Sequence, residues 1–196
     1  MTKSLFTELN DENAFDLFLR TNKEFLNSID AGAKHIRDES AIANQFAMAT
    51  NLLRDAALKS GTPWFYAHPI LFLYRHTIEL YLKGLVPQPR PTHNLLVLRD
   101  SLIEYIKSKY GYDISGGWVA ETITEFATID PNSTRFRYAR DNQGNPSFNA
   151  EQVVNLDELK TRMDELFLVF MNLKMAQRGE ENATAQPNNS FNQPRD

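Results

Sequence analysis

The chain has 196 residues, of which 42% are apolar, and a net charge of −4, which suits one domain with a core of its own and excludes both a disordered chain and a surface basic throughout. It has no cysteine, which removes disulfides, thiolate metal sites and a thiol nucleophile together. The N-terminal residues lack a signal peptide's apolar run, and the longest apolar stretch is broken by Arg75, His76, Glu79 and Lys83, so a soluble, cytoplasmic protein with no membrane partner is expected.

Apolar residues at helical spacing (Phe15, Phe18, Leu19, Phe25, Leu26) predict a first helix over about 12–28. A long second helix is expected over about 33–59, with Ile36, Ile42, Phe46, Leu52, Leu53, Ala56 and Ala57 as buried candidates. Ser60, Gly61, Thr62 and Pro63 form a stop and restart, with Gly61 left-handed, Thr62 as N-cap and Pro63 as first helical residue. The third helix, over about 63–85, is apolar around much of its circumference, as a central helix is. Pro69 either kinks it or moves its true start to 67–69.

Pro87, Pro89 and Pro91 end that helix, and Thr92, His93 and Asn94 open a fourth that runs to about 109 on Leu95, Leu98, Leu102, Tyr105 and Ile106. A shorter helix is predicted over 118–129 and stops at Asp130 and Pro131. Residues 134–148, with alternating aromatics around a Gln-Gly-Asn turn, read as an extended or hairpin-like insertion. Asn155 caps the last helix, whose seam of Leu156, Leu159, Met163, Leu166, Phe170 and Leu173 suits packing in a bundle or a dimer. The expected architecture is all-α, a bundle of five or six helices in a single domain over 1–177, with a disordered tail over 178–196.

Two clusters could carry chemistry. Arg75, Glu79 and Lys83 are spaced four apart on one helical stripe. They form either an exposed salt-bridge ladder or a polar groove in which Arg75 grips a phosphate or a carboxylate. In the second cluster, Arg135, Arg137 and Arg140 alternate with Phe136 and Tyr138. Guanidiniums bind phosphates and aromatic rings stack bases, so this is the most nucleic-acid-like patch of the chain. In an extended segment Arg135 and Arg137 would face one side, Phe136 and Tyr138 the other; Asp130 and Asp141 flank the patch and could instead pair with it. Phosphate-loop, dinucleotide, zinc-protease and serine-hydrolase motifs are all missing. Neither a metal site nor a cofactor is expected, since His76 and His93 have no other ligand at metal spacing except Glu79, three residues after His76.

The segments LYRHTIELYLKGLV and PTHNLLVL resemble the HEPN superfamily (higher eukaryotes and prokaryotes nucleotide-binding), small all-α bundles. Glu79, Leu82, Lys83 and Leu85 match its central-helix pattern, and Thr92, His93, Asn94 and Leu95 match the helix start that follows. Phe136, Arg137 and Tyr138 are similar to an Arg-Tyr element that precedes the last helix in many members. The resemblance implies a homodimer that binds RNA, a nucleotide or a cognate protein partner, in a defence or toxin–antitoxin setting. Many members are metal-independent ribonucleases with an Arg-x(4–6)-His motif at the start of the last helix. This chain has no histidine after His93, so the expected role is binding rather than cleavage. Arg75, Glu79, Lys83, Arg135, Arg137, Tyr138 and Arg140 are then the binding candidates. The alternatives are a divergent ribonuclease using Arg137, His93 or His76, and a structural interaction subunit.

Overall fold

Five α-helices and one 3-10 turn (Pro63–Tyr66) make up the residues described by a computed structural model, 38–185 without residue 149. The helices are α1 (Glu39–Lys59), α2 (Ala67–Leu85), α3 (Leu95–Tyr110), α4 (Trp118–Ile129) and α5 (Leu156–Ala185). The architecture is the expected all-α bundle, with no strand among the described residues. The helix expected over 12–28 and the first residues of the one expected over 33–59 lie outside them.

Asp38 caps α1 by accepting the Ser40 N–H at 2.9 Å. The inward face is Ala43, Thr50, Arg54 and Ala57. Leu52, expected in the core, is 71% exposed, and Ala56 is exposed as well. Leu52 lies two residues, just over half a turn, from both Thr50 and Arg54, so it must point outward when they point in. Gly61 is left-handed as expected (φ +71°), but Thr62 makes no capping bond through its side chain. Instead the chain passes through the 3-10 turn, and α2 starts at Ala67, which settles the question Pro69 raised in favour of a later start. Pro69 falls in the first turn, where its missing N–H has no partner to lose.

The central helix is α2, packed against α1, α3 and α5. Ile70, Tyr74, Ile78, Tyr81, Leu82 and Leu85 are buried around it. It runs antiparallel to α1: the Tyr81 hydroxyl donates to Asn44 and the Tyr74 hydroxyl to Asn51 Oδ1 (2.9 Å), whose amide in turn donates to Asp164 on α5 (3.1 Å). Burial pushes both phenols up to about 12, so each remains a protonated donor at neutral pH. Where α1 begins against the end of α2, a side chain at Gly84 would come within 2.8 Å of the Ser40 nitrogen, so only glycine fits there. The last carbonyls of α2 are taken by α5, with Lys174 donating to Gly84 O (2.8 Å) and Gln177 to Leu85 O (2.7 Å).

The seam of α5 packs into the bundle, where Met163, Leu166 and Phe170 are buried. The disordered tail expected from residue 178 is not found over 178–185. The helix continues through Arg178, which donates to Asp38 (2.9 Å), and past Glu180, which pairs with Lys109, to Ala185. Residues 186–196 lie outside the described ones.

Candidate nucleic-acid interface

Arg75, Glu79 and Lys83 do share one stripe of α2, but the stripe faces inward. Arg75 and Glu79 are buried and Lys83 is largely so. The Arg75 guanidinium donates to Asp130 O (Nε, 2.9 Å), to Glu79 Oε2 (3.0 Å) and to His93 O (2.6 Å). It is therefore consumed by the fold: the expected salt-bridge ladder of Arg75, Glu79 and Lys83 is present but turned inward, and Arg75 is shut away from any phosphate. Three donors converge on the Glu79 carboxylate: Arg75, Lys83 (2.8 Å) and His93 Nδ1 (2.7 Å). Burial opposes its charge, yet the hydrogen bonds from Lys83, His93 and Arg75 outweigh that and hold its pKa below the usual carboxylate range.

His93 is exposed and immediately precedes Asn94, the N-cap of α3, whose side chain accepts the N–H groups of Leu96 (2.9 Å) and Val97 (3.3 Å). The ring rests on a buried carboxylate through Nδ1 and keeps Nε2 for other contacts, the arrangement of a carboxylate-oriented general base. His76 is built differently. It stacks on Phe72 (5.7 Å, 7° between planes) and meets the edge of Phe46 (4.7 Å), and burial lowers its pKa, with Glu79 opposing and Lys83, Arg75 and His93 reinforcing. It is a packed, neutral ring.

Asp130 ties this cluster to the loop that follows α4. Its carbonyl takes Arg75 Nε, while Oδ1 accepts the backbone N–H groups of Thr134 (2.8 Å) and Arg135 (3.0 Å), a small nest of amides around a buried carboxylate. Oδ2 has no hydrogen bond, but it lies 3.5 Å from Arg75 Nε and shares its charge with that cation. The loop is consequently a tight turn and not the extended segment expected: Arg137 N and Tyr138 N both donate to Thr134 O. Only around 141–144 does the chain turn back as a hairpin would, with one bridge between Arg140 and Pro146. The alternation of arginine and aromatic faces is lost with the extended backbone. Phe136 is buried, whereas Arg135, Arg137, Tyr138 and Arg140 are exposed.

Each of these arginines is steadied by a backbone carbonyl: Arg135 by Ile129 O (3.0 Å), Arg137 by Ser133 O, and Arg140 by Gly144 O (2.7 Å). Ser133 is left-handed (φ +59°), a conformation uncommon outside glycine and asparagine. Asp141 binds the amides of its own turn, Gln143 and Asn145, so the two flanking carboxylates do not consume the arginine side chains. The Arg137 guanidinium lies over both Phe72 (5.7 Å) and Tyr138 (5.3 Å). Through Phe72 it adjoins His76. Phe72 and Phe148 were not singled out from the sequence; an aromatic four residues before His76 was the one available signal for Phe72.

Next to Arg137 and Tyr138 the surface dips into a concavity of about 440 Å³ lined by His68, Phe136, Phe148, Pro146 and Ser147. Among the described residues no three His, Asp or Glu side chains converge as metal ligands would, and no helix is long and apolar enough to cross a membrane. No protein-family model, no characterised protein and no solved structure matches the chain.

Proposed function

We propose that this chain is an RNA- or nucleotide-binding module of the HEPN type that works as a dimer and binds its ligand through the loop at 135–140. The observation that carries the reading is Arg137, exposed yet held between Phe72 and Tyr138 beside an aromatic concavity. Fixed guanidiniums next to exposed rings are what a single-stranded nucleic acid requires, since every base has a face to stack and every nucleotide a phosphate to neutralise. A local patch of this kind is compatible with a net charge of −4. The resemblance supplies the setting, a cytoplasmic defence or toxin–antitoxin system. A second copy would cover Leu168, Met171 and Met175, an exposed apolar row on the face of α5 turned away from the core. Fluorescence anisotropy with labelled single-stranded RNA tests the reading: Arg137→Ala and Arg140→Ala should weaken binding without changing the fold. Unchanged affinity in both would overturn it and favour a protein partner or a structural role.

A second reading, a metal-independent ribonuclease, is favoured by one observation, the exposed His93 ring oriented by buried Glu79. His93 Nε2 would take the proton from a 2′-hydroxyl. Cleavage of RNA with metals chelated, abolished by His93→Ala in a folded protein, supports it; no cleavage by the parent protein excludes it.

A further inference from the structure

The concavity beside Tyr138 has a chemistry more specific than general RNA affinity. Its volume, about 440 Å³, falls in the range of small-molecule sites. Phe136 and Phe148 lie 5.8 Å apart, and the His68 ring stands nearly perpendicular to Phe148 at 5.7 Å. Phe136 is buried beneath, while Tyr138 is exposed at the rim with the Arg137 cation against its ring. An open apolar hollow over packed aromatic rings, with a cation at its edge, suits a flat heterocycle carried on a phosphate better than it suits an aliphatic side chain.

One polar group that lines it has a defined sense in its neutral form. His68 Nδ1 lies 3.1 Å from the Phe136 carbonyl. A carbonyl oxygen only accepts, so in the neutral ring the proton sits on Nδ1 and Nε2 is left as a lone-pair acceptor. His68 is exposed and lines the concavity, so this acceptor is open to a ligand there.

We propose that this concavity holds one unstacked nucleobase bearing an amino group, adenine or cytosine, which donates to His68 Nε2 while Arg137 and Arg140 meet the adjoining phosphates. The inference rests on the RNA-binding reading above and adds base selectivity to it. Adenine N6 and cytosine N4 are donors, whereas uracil carries the O4 carbonyl at the corresponding position and would set lone pair against lone pair.

The test is anisotropy of the full chain with short labelled oligo(A), oligo(C) and oligo(U), together with displacement by adenosine and uridine monophosphates, which removes the self-stacking of oligo(A) from the comparison. Oligo(A) and oligo(C) are expected to bind about fivefold tighter than oligo(U), the effect of one hydrogen bond. His68→Phe keeps the ring and removes the acceptor, so it should erase that preference and still bind; Tyr138→Ala should weaken all three by about tenfold, the effect of one lost stack. Equal affinities for the three oligomers, or a preference that survives His68→Phe, would overturn the base pocket and leave RNA binding intact. No binding of any oligomer by the parent protein would overturn both. Thermal unfolding of each variant confirms that the fold is retained.

Discussion

His93 Nδ1 lies 2.7 Å from Glu79 Oε1, joining a side chain that is 70% exposed to one that is 1% exposed. The two ends of this bond therefore differ in cost. Glu79→Gln leaves the buried Arg75 without its nearest counter-charge and should destabilise the fold by about 3–5 kcal/mol. His93→Ala removes a solvent-side partner and should cost well under about 1 kcal/mol. Urea midpoints of the two variants check this, and equal shifts would contradict the burial of Glu79.

Acid should weaken the fold in two steps. Burial lowers the pKa of His76 from its usual 6.5, so as pH falls below that value the unfolded chain takes the proton first and stability drops. The pKa of Glu79 is also lowered, from 4.5, so its contribution is complete above that pH and lost as pH falls through the lower folded value. In a series of urea midpoints against pH, His76→Phe should flatten the upper step and Glu79→Gln the lower.

The arginines of the loop should register in the salt dependence of binding. Arg137→Ala or Arg140→Ala should each reduce the slope of log K against log salt by about 0.7 for a single-stranded ligand, the value for one phosphate contact. Titrations of RNA at several salt concentrations measure it. Arg75→Lys, in contrast, should leave the slope unchanged wherever the variant folds, because Arg75 is buried.

Asp130→Ala should loosen the loop before it unfolds the bundle. The Thr134 and Arg135 amides lose their acceptor, and Arg75 loses a charge 3.5 Å away. Hydrogen exchange at those two amides should accelerate more than at core amides of α2, with a global loss of about 3 kcal/mol.

If a second copy covers α5, Leu168→Asp and Met175→Asp should each give a folded monomer in sedimentation. Leu166→Asp should unfold the protein instead, because Leu166 is buried in the core.

What was legible in the sequence was the punctuation. Gly61 and Asn155 stand where a left-handed turn and a cap were expected, Asn94 closes the triplet expected to open the fourth helix, and Asn155 accepts the Asp157 (2.9 Å) and Glu158 (3.2 Å) amides. Such signals are local, and local chemistry decides them. The direction of the Arg75 stripe was not legible. Charges four apart look the same whether a helix turns them to water or to a buried partner, and the partners here, Asp130 and His93, are 55 and 18 residues away. The turn at 134–138 was missed for a similar reason. Alternating aromatics suggest extension, but the Asp130 carboxylate gathers the Thr134 and Arg135 amides and curls the chain before alternation can matter.

One guanidinium, that of Arg75, holds the carbonyls of His93 and of Asp130, the anchors of the general-base candidate and of the loop at 134–140. An alanine scan scored only by activity would therefore rank Arg75 first for either function, although it is shut away from any ligand. The two surfaces share a hidden common cause, and a covariance between losses at His93 and at Arg137 would report that hinge pin before it reported one continuous binding track.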